Sequence, residues 1–246
     1  MTKIYQIGHR ATTEPYWLND LYDAVQVGTG DRFLPHRDTE CEDSIAEWNP
    51  IYFEETGVNW VWKECPDEVE YVGITQYRRR LAFDDQQEVE KIFKNYDCIL
   101  PTPLRMGCSV YHQYQFCHSQ EDIGLAEKII YEKYPEFKEG WDAYVKKGNL
   151  LYYSSSYVMR RRDFDDWCSF FFGFCEEFRA RKGWDTVEKA KADVKVEMDS
   201  GRRGKARGVD YQCAVFGFLQ ERLLTMWCRT RFQRIKEIPF TKFEGV

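Results

Sequence analysis

The stretch EYVGITQYRRRLAF, residues 70–83, ends an apolar run in three consecutive arginines, Arg78, Arg79 and Arg80, in a chain of net charge −6. Guanidinium groups gathered at the end of a strand can grip phosphate oxygens through bidentate, charge-assisted hydrogen bonds. The competing assignment is pairing with nearby surface carboxylates such as Asp84 and Asp85. A second unit is HSQED, where His118 and Asp122 stand four apart at the start of an expected helix and so share one face. An imidazole oriented by a carboxylate can move a proton or hold a ligand, and the same arrangement can equally serve as a helix cap. His112 and Tyr114 lie just upstream. In VDYQCAVFGFLQERLLTMW, Asp210, Ala214, Gly217 and Glu221 fall at i, i+4, i+7 and i+11, a helix face with a small middle and carboxylate ends. Glu221 and its neighbour Arg222 sit on a helix that is otherwise apolar nearly all round. Such charges need partners, as a structural clamp or as part of a site.

Metal chemistry has weaker support. RRDFDDW places Asp163 and Asp165 in an Asp-x-Asp pattern, which can offer hard oxygen ligands to a divalent cation. At the start of a helix the same residues also act as caps and complement the helix dipole. No other His, Cys or Asp cluster has ligand spacing, and the phosphate-cradling signatures Gly-x-Gly-x-x-Gly and Gly-x-x-x-x-Gly-Lys are absent. No metal is therefore assigned, with Asp163 and Asp165 as the weak candidates. Nine cysteines without a Cys-x-x-Cys pair fit a reducing compartment better than a disulfide framework or structural zinc. The acidic balance disfavours nucleic acid as a partner. Basic charge is concentrated at 78–80 and in GRRGKARG, 201–208.

These residues require elements to hold them. Residues 3–8 and 24–27 read as short strands with a helix around 16–22 between them, and an acidic, irregular loop covers 30–47. In 50–63, Tyr52, Val58, Val61 and Trp62 have the spacing of one buried helical stripe. Strands at 71–75 and 97–100 flank a helix at 86–94, an order that predicts a right-handed crossover and a parallel pair. Helices follow at 120–133, 164–179 and 210–227, with a strand at 150–159 and a charged, solvated, mobile insertion at 184–208. The alternation predicts one α/β domain over 1–246 with a mostly parallel central sheet flanked by helices. Ligands of such sheets bind beyond the carboxyl ends of the strands, where QYRRR falls. No segment has the run of apolar residues needed to span a bilayer, and MTKIYQIGHR has no secretion signal, so a cytoplasmic address is expected.

Taken together, KIYQIGH, VQVG, WNPIYFEETGVNWVWK, EYVGITQYRRRLAF, YDCILPTP, QYQFCHSQED, YYSSSYVMRRRDFDDWCSFFF and VFGFLQERLLTMW resemble, in order and over almost the whole chain, the bacterial domain-of-unknown-function family 4422. Members of that family occur in capsule, exopolysaccharide and O-antigen gene sets and include galactofuranosyltransferase domains. The resemblance implies a fold of the glycosyltransferase A type or a variant of it. It places a histidine-tyrosine-arginine-arginine motif on Gln76, Tyr77, Arg78 and Arg79, with glutamine in the histidine position. The family's glutamate falls on Glu54, its Tyr-x-x-x-His on Tyr114 and His118, its aspartate on Asp122 and its glutamate-arginine pair on Glu221 and Arg222. Ser155 and Ser156 stand where an asparagine-methionine is usual.

The implied activity is hexosyl transfer, galactofuranosyl among the options, from a nucleotide diphosphate sugar to a glycan or lipid-linked glycan acceptor at the inner face of the membrane. Leaving diphosphate charge must be neutralised by cationic side chains or by a divalent cation. The expected diphosphate site is Tyr77, Arg78, Arg79 and Arg222. Asp122, His118, Glu54 and Glu221 are the candidates for catalysis, and His9, Gln76, Tyr114 and Asp210 for further substrate contacts. A non-catalytic nucleotide- or glycan-binding module is the alternative, which the glutamine at 76 permits. A contact with anionic lipid through 184–208 is a further expectation.

Overall fold

The structure is a computed structural model that describes residues 1–9 and 19–242. Its strands are β1 (Thr2–Gly8), β2 (Tyr22–Gln26), β3 (His36–Arg37), β4 (Tyr71–Gln76), β5 (Arg79–Arg80), β6 (Cys98–Pro101), β7 (Leu104–Arg105), β8 (Leu150–Leu151), β9 (Tyr157–Arg160), β10 (Ile235–Ile238) and β11 (Thr241–Lys242). The helices are α1 (Asn49–Tyr52), α2 (Glu55–Glu64), α3 (Gln86–Phe93), α4 (Val110–Cys117), α5 (Gln120–Lys133) and α6 (Lys138–Gly140), which continues as a π-helix over Trp141–Lys146. They are followed by α7 (Arg161–Lys182), α8 (Val187–Asp199), α9 (Gly208–Gln212) and α10 (Val215–Arg231).

The main sheet runs β10-β6-β9-β4-β1-β2-β3, with β5 and β11 attached beside β4. Alternate residues of each strand face opposite sides of a sheet, and the two sides carry separate cores. Tyr5, Ile7, Val72, Ile74, Tyr157 and Met159 point to the larger core, shared with α2, α7 and α10. Ile4, Ile99 and Val158 point to the smaller one, closed by Val89 and Phe93 of α3. Burial on both faces explains why the central strands read as apolar runs. Close packing is enforced at Gly57 of α2, where a Cβ would lie 2.8 Å from the side chains of Ile7 and Val27.

Several expectations change in three dimensions. The strands at 71–76 and 98–101 are not neighbours: β9 lies between them, antiparallel to both, with Gly73 opposite Val158 and Ile99 opposite Val158 on its other edge. The sheet is thus mixed, although β1, β2, β3 and β4 form a parallel block. The strand expected at 150–159 is two strands, β8 and β9, parted by an irregular turn at 152–156. The helix expected around 16–22 falls largely outside the described residues, and Tyr22 opens β2. Within 50–63 the helix breaks at Phe53, whose φ of 55° separates α1 from α2. The last helix breaks at Cys213 and Ala214, between α9 and α10. The 184–208 insertion is less solvated than its composition implies, for α8 buries Ala190, Val194 and Met198 against the larger core.

Candidate functional site

Beyond the carboxyl ends of β1 and β4 lies a cleft of about 240 Å³. His9 follows β1 directly, and Gln76 to Arg79 form the tight turn between β4 and β5. Thr75 staples that turn, its hydroxyl donating to the Arg79 carbonyl at 3.0 Å and accepting from the Leu81 amide at 3.1 Å. The helix break at Phe53 brings in Glu54 and Glu55, and the turn before β9 brings in Ser154 and Ser155. Arg207 and Tyr211 complete the cleft with Gly217, Phe218 and Glu221 of α10.

The three arginines have separate fates. Arg78 is exposed, and its Nε donates to the Tyr77 hydroxyl at 2.6 Å, with His9 Nε2 3.4 Å from the same oxygen. Arg79 donates from Nη1 to Ser154 Oγ at 2.7 Å and lies over the Tyr153 ring. Arg80 is turned inward, 1% exposed, over the ring of Tyr22. Alternation along β5 sends Arg79 and Arg80 to opposite faces, and Arg78 lies in the turn before it, so of the three Arg78 and Arg79 reach the cleft. Asp85 is occupied as the N-cap of α3, accepting the Glu88 amide at 2.9 Å.

Three carboxyl groups line the same cleft. Glu221 accepts the Ser154 amide at 2.9 Å on one oxygen and Arg222 Nη1 at 2.7 Å on the other. Glu54 receives the Gln76 amide at 3.4 Å. Burial raises the Glu54 carboxyl above its usual range, the Glu221 charge adds to this, and Arg78 opposes it. Glu55, 1% exposed, is pushed up to about 8, mainly by burial, with Glu54 and Glu221 contributing and the Ser155 hydroxyl pulling the other way. Backbone strain gathers here too. Of the five non-glycine residues with positive φ among those described, Phe53, Ser154, Ser155 and Arg207 line the cleft, and Asp43 does not. Such conformations cost about 1–3 kcal/mol each and persist where surrounding contacts hold them.

Other candidates lie behind the cleft wall or away from it. His118 and Asp122 do not pair. Ser119 caps α5 and turns the chain between them, so His118 ends α4 while Asp122 belongs to the next helix. His118 stacks on Phe218 with centroids 3.8 Å apart, and its Nδ1 donates to Gln212 Oε1 at 3.3 Å. Burial, with Arg222 and Arg203 nearby, pushes its pKa down to about 3, so the ring is neutral. Asp122 is fully buried and joins a network in which Arg203 bonds both Asp122 and Glu197, while Lys182 lies 3.3 Å from Asp122 and 2.6 Å from Glu197. Tyr114 is buried beside His118. Arg222 is 2% exposed, held by Glu221, Gln113 and the Phe218 carbonyl, so it braces Glu221 from behind.

Asp210 is exposed and does not line the cleft, because the break at Cys213 and Ala214 turns α9 off the face that carries Ala214, Gly217 and Glu221. Asp163 sits in the first turn of α7 near Arg231, and Asp165 follows in the next turn, bound by Arg161. Among the described residues no group of three or more His, Cys, Asp or Glu is arranged to hold a metal ion.

The chain matches the domain of unknown function DUF4422 over residues 3–198. It belongs to that family. The architecture of this DUF4422 chain is similar to that of the bifunctional glycosyltransferase WbbM in its apo form, with a TM-score of 0.75 at 20% sequence identity. The likeness covers 99% of this chain and 45% of WbbM, so the chain spans less than half the length of that neighbour. No curated protein matches it. No helix among its described residues is long and apolar enough to cross a membrane.

Sequence reasoning did not single out Glu55, Ser154 or Tyr211, and it marked Arg207 only as part of the basic cluster 201–208, for a lipid contact rather than for this cleft. The paired glutamates of FEET were a visible signal, since a carboxylate doublet inside an aromatic helix needs a reason. Nothing local pointed Arg207 and Tyr211 to the cleft; their segment is anchored by Arg203, bound to Asp122 and Glu197, and by the Gly204 amide on the His118 carbonyl.

Proposed function

We propose that the cleft binds the diphosphate of a nucleotide-activated sugar at Arg78 and Arg79, and that the protein is a glycosyltransferase. The observation that carries this is the meeting of the Arg78 and Arg79 guanidinium groups with the carboxyl groups of Glu54 and Glu221, beyond the carboxyl ends of parallel strands. Family membership and the fold shared with WbbM support the same reading. The cleft is small beside typical ligand pockets of roughly 300–1,000 Å³. It therefore suits the sugar and diphosphate, with the nucleoside lying outside it.

In glycosyl transfer the bond from the sugar carbon to the diphosphate oxygen breaks as a bond to the acceptor oxygen forms, and negative charge grows on the leaving group. Arg78 and Arg79 would neutralise that charge, with Tyr77 and His9 holding Arg78 in place. The acceptor hydroxyl proton would pass to a carboxylate. Glu54 is the better base, because its raised pKa and its partly exposed position on the cleft suit proton uptake, whereas Glu221 has both oxygens engaged. Asp122 and His118 would act structurally, and Arg222 would support Glu221. A divalent cation would have to assist at this same cleft, since Asp163 and Asp165 lie on α7 beside Arg231 and Arg161.

The donor we favour is a nucleotide diphosphate hexose, galactofuranose among the candidates. The acceptor is a growing surface polysaccharide or its lipid-linked precursor, met in the cytoplasm. Burial of Arg203 leaves Arg202, Lys205 and Arg207 as the exposed cations of 201–208 for any membrane contact. Incubation with a panel of nucleotide sugars and lipid-linked acceptors is expected to show transfer that Glu54→Gln lowers by about 10²–10⁴. The absence of both turnover and thermal protection with every nucleotide sugar would reject the assignment. Gln76 favours one alternative, a non-catalytic nucleotide- or glycan-binding module, because an amide cannot exchange protons as a histidine does. Tight nucleotide binding by calorimetry without transfer to any acceptor would select it.

A further inference from the structure

Glu55 is buried in the cleft wall, one residue from the base candidate, and nothing in the proposed chemistry uses it. Its Oε1 accepts the Ser155 hydroxyl, while Oε2 is buried without a hydrogen-bond partner. Ser155 belongs to the strained turn in which Ser154 and Ser155 have φ of 71° and 40°. That turn performs two tasks: the Ser154 amide holds Glu221, and the Ser154 hydroxyl receives Arg79. Ser156 reinforces it, its hydroxyl donating to the Ser154 carbonyl at 2.7 Å. Residues in left-handed conformations need outside contacts to stay there, and the Glu55 carboxyl is the contact reaching this turn from α2.

We propose that Glu55 is the positioning residue of the cleft: by holding Ser155 it fixes the Ser154–Ser155 turn, and through that turn the Glu221 carboxylate and the Arg79 guanidinium. The proposal deepens the diphosphate-binding reading and rests on it for its consequence, though not for its geometry. The groups facing Glu55 are Glu54, Glu221 of α10, Tyr157 of β9, and Cys168 and Cys175 of α7. Burial is the chief cause that holds the carboxyl neutral near pH 7, and none of these neighbours is a cation to oppose it. Ionisation above about pH 8 would place a third negative charge beside Glu54 and Glu221 and loosen the turn.

Inorganic pyrophosphate, titrated into the full chain by calorimetry between pH 6.5 and 9.5, is the probe. Glu55→Ala and Ser155→Ala are each expected to weaken binding about tenfold, and the double variant no more than either, because both cut the same link. Glu55→Gln keeps a neutral polar head and is expected to bind within about threefold of wild type at pH 7, without the extra loss that wild type shows above pH 8. Additive losses, or wild-type affinity in a folded Glu55→Ala chain, would overturn the proposal. If wild type binds no pyrophosphate, the diphosphate reading fails instead. The Glu55–Ser155 link is then decided by a double-mutant cycle on thermal stability, in which zero coupling rejects it.

Discussion

Arg78 and Arg79 are the residues on which the proposed chemistry depends most, and each makes one internal hydrogen bond that aims it without consuming its remaining donors. A charge-assisted hydrogen bond is worth about 1.5–3 kcal/mol. Replacing either arginine by alanine is therefore expected to weaken nucleoside diphosphate binding by roughly 10- to 100-fold in calorimetry. Arg80→Met should act on stability instead, since that side chain lies over Tyr22 in the smaller core.

Two buried groups titrate with opposite sign. His118, held down to about 3, is neutral when folded and protonates from pH 6.5 downward when unfolded, so the stability it preserves is lost as pH falls from 6.5 towards 3. Glu55 is raised from 4.5 to about 8, so its contribution is complete below pH 4.5 and is lost as pH rises to 8. Each slope is at most about 1.4 kcal/mol per pH unit, and between pH 4.5 and 6.5 they oppose one another. Melting curves across pH should show Glu55→Gln gaining on wild type as pH rises, and His118→Gln gaining as pH falls. Parallel curves would mean that neither group is perturbed.

Among the elements, α5, α7 and α8 are tied together by Asp122, Lys182, Glu197 and Arg203, with the first and last fully enclosed. The same network pins residues 201–208, whose Gly204 amide donates to the His118 carbonyl at 2.7 Å. A Cβ at Gly204 would lie 2.4 Å from the Cys117 carbonyl oxygen, which shows how closely this segment is drawn in. Removing one partner of a buried ion network costs about 3–5 kcal/mol, because the remaining charges stay buried. Arg203→Met should lower the melting temperature accordingly and release Arg207 and Tyr211 from the cleft, which hydrogen exchange over 200–212 would detect. Substituting Asp122, Glu197 and Arg203 together by apolar residues should restore much of the stability. A composition rich in Lys, Glu and Asp concealed this, since a charge that will be paired inside reads the same as one that will face water.

At the scale of the whole molecule, ligand and fold are linked by mass action. If the cleft takes a nucleoside diphosphate, a concentration of 100 times its Kd adds about 2.7 kcal/mol. For a chain of this size that corresponds to roughly 2–4 °C per kcal/mol. Differential scanning fluorimetry should record the upward shift in wild type and its loss in Arg78→Ala/Arg79→Ala.

The α/β class, the strands β1, β4 and β6, and helices α3, α5 and α7 were legible in the sequence because each follows from hydrophobic period, caps and breakers within one segment. The placement of QYRRR at a strand's carboxyl end was equally local. What only the tertiary structure decided was long-range. β9 enters between β4 and β6, and strained turns at Phe53 and Ser154–Ser155 bring Glu54, Glu55 and Glu221 to one cleft. His118 and Asp122 withdraw into the packing behind it. Those outcomes depend on which side chains exclude water from which others, a property of contacts between residues far apart in the chain, 100 positions in the case of Glu55 and Ser155. A window of sequence carries periodicity but not partners, so it could propose the arginines and could not say which carboxylates would meet them.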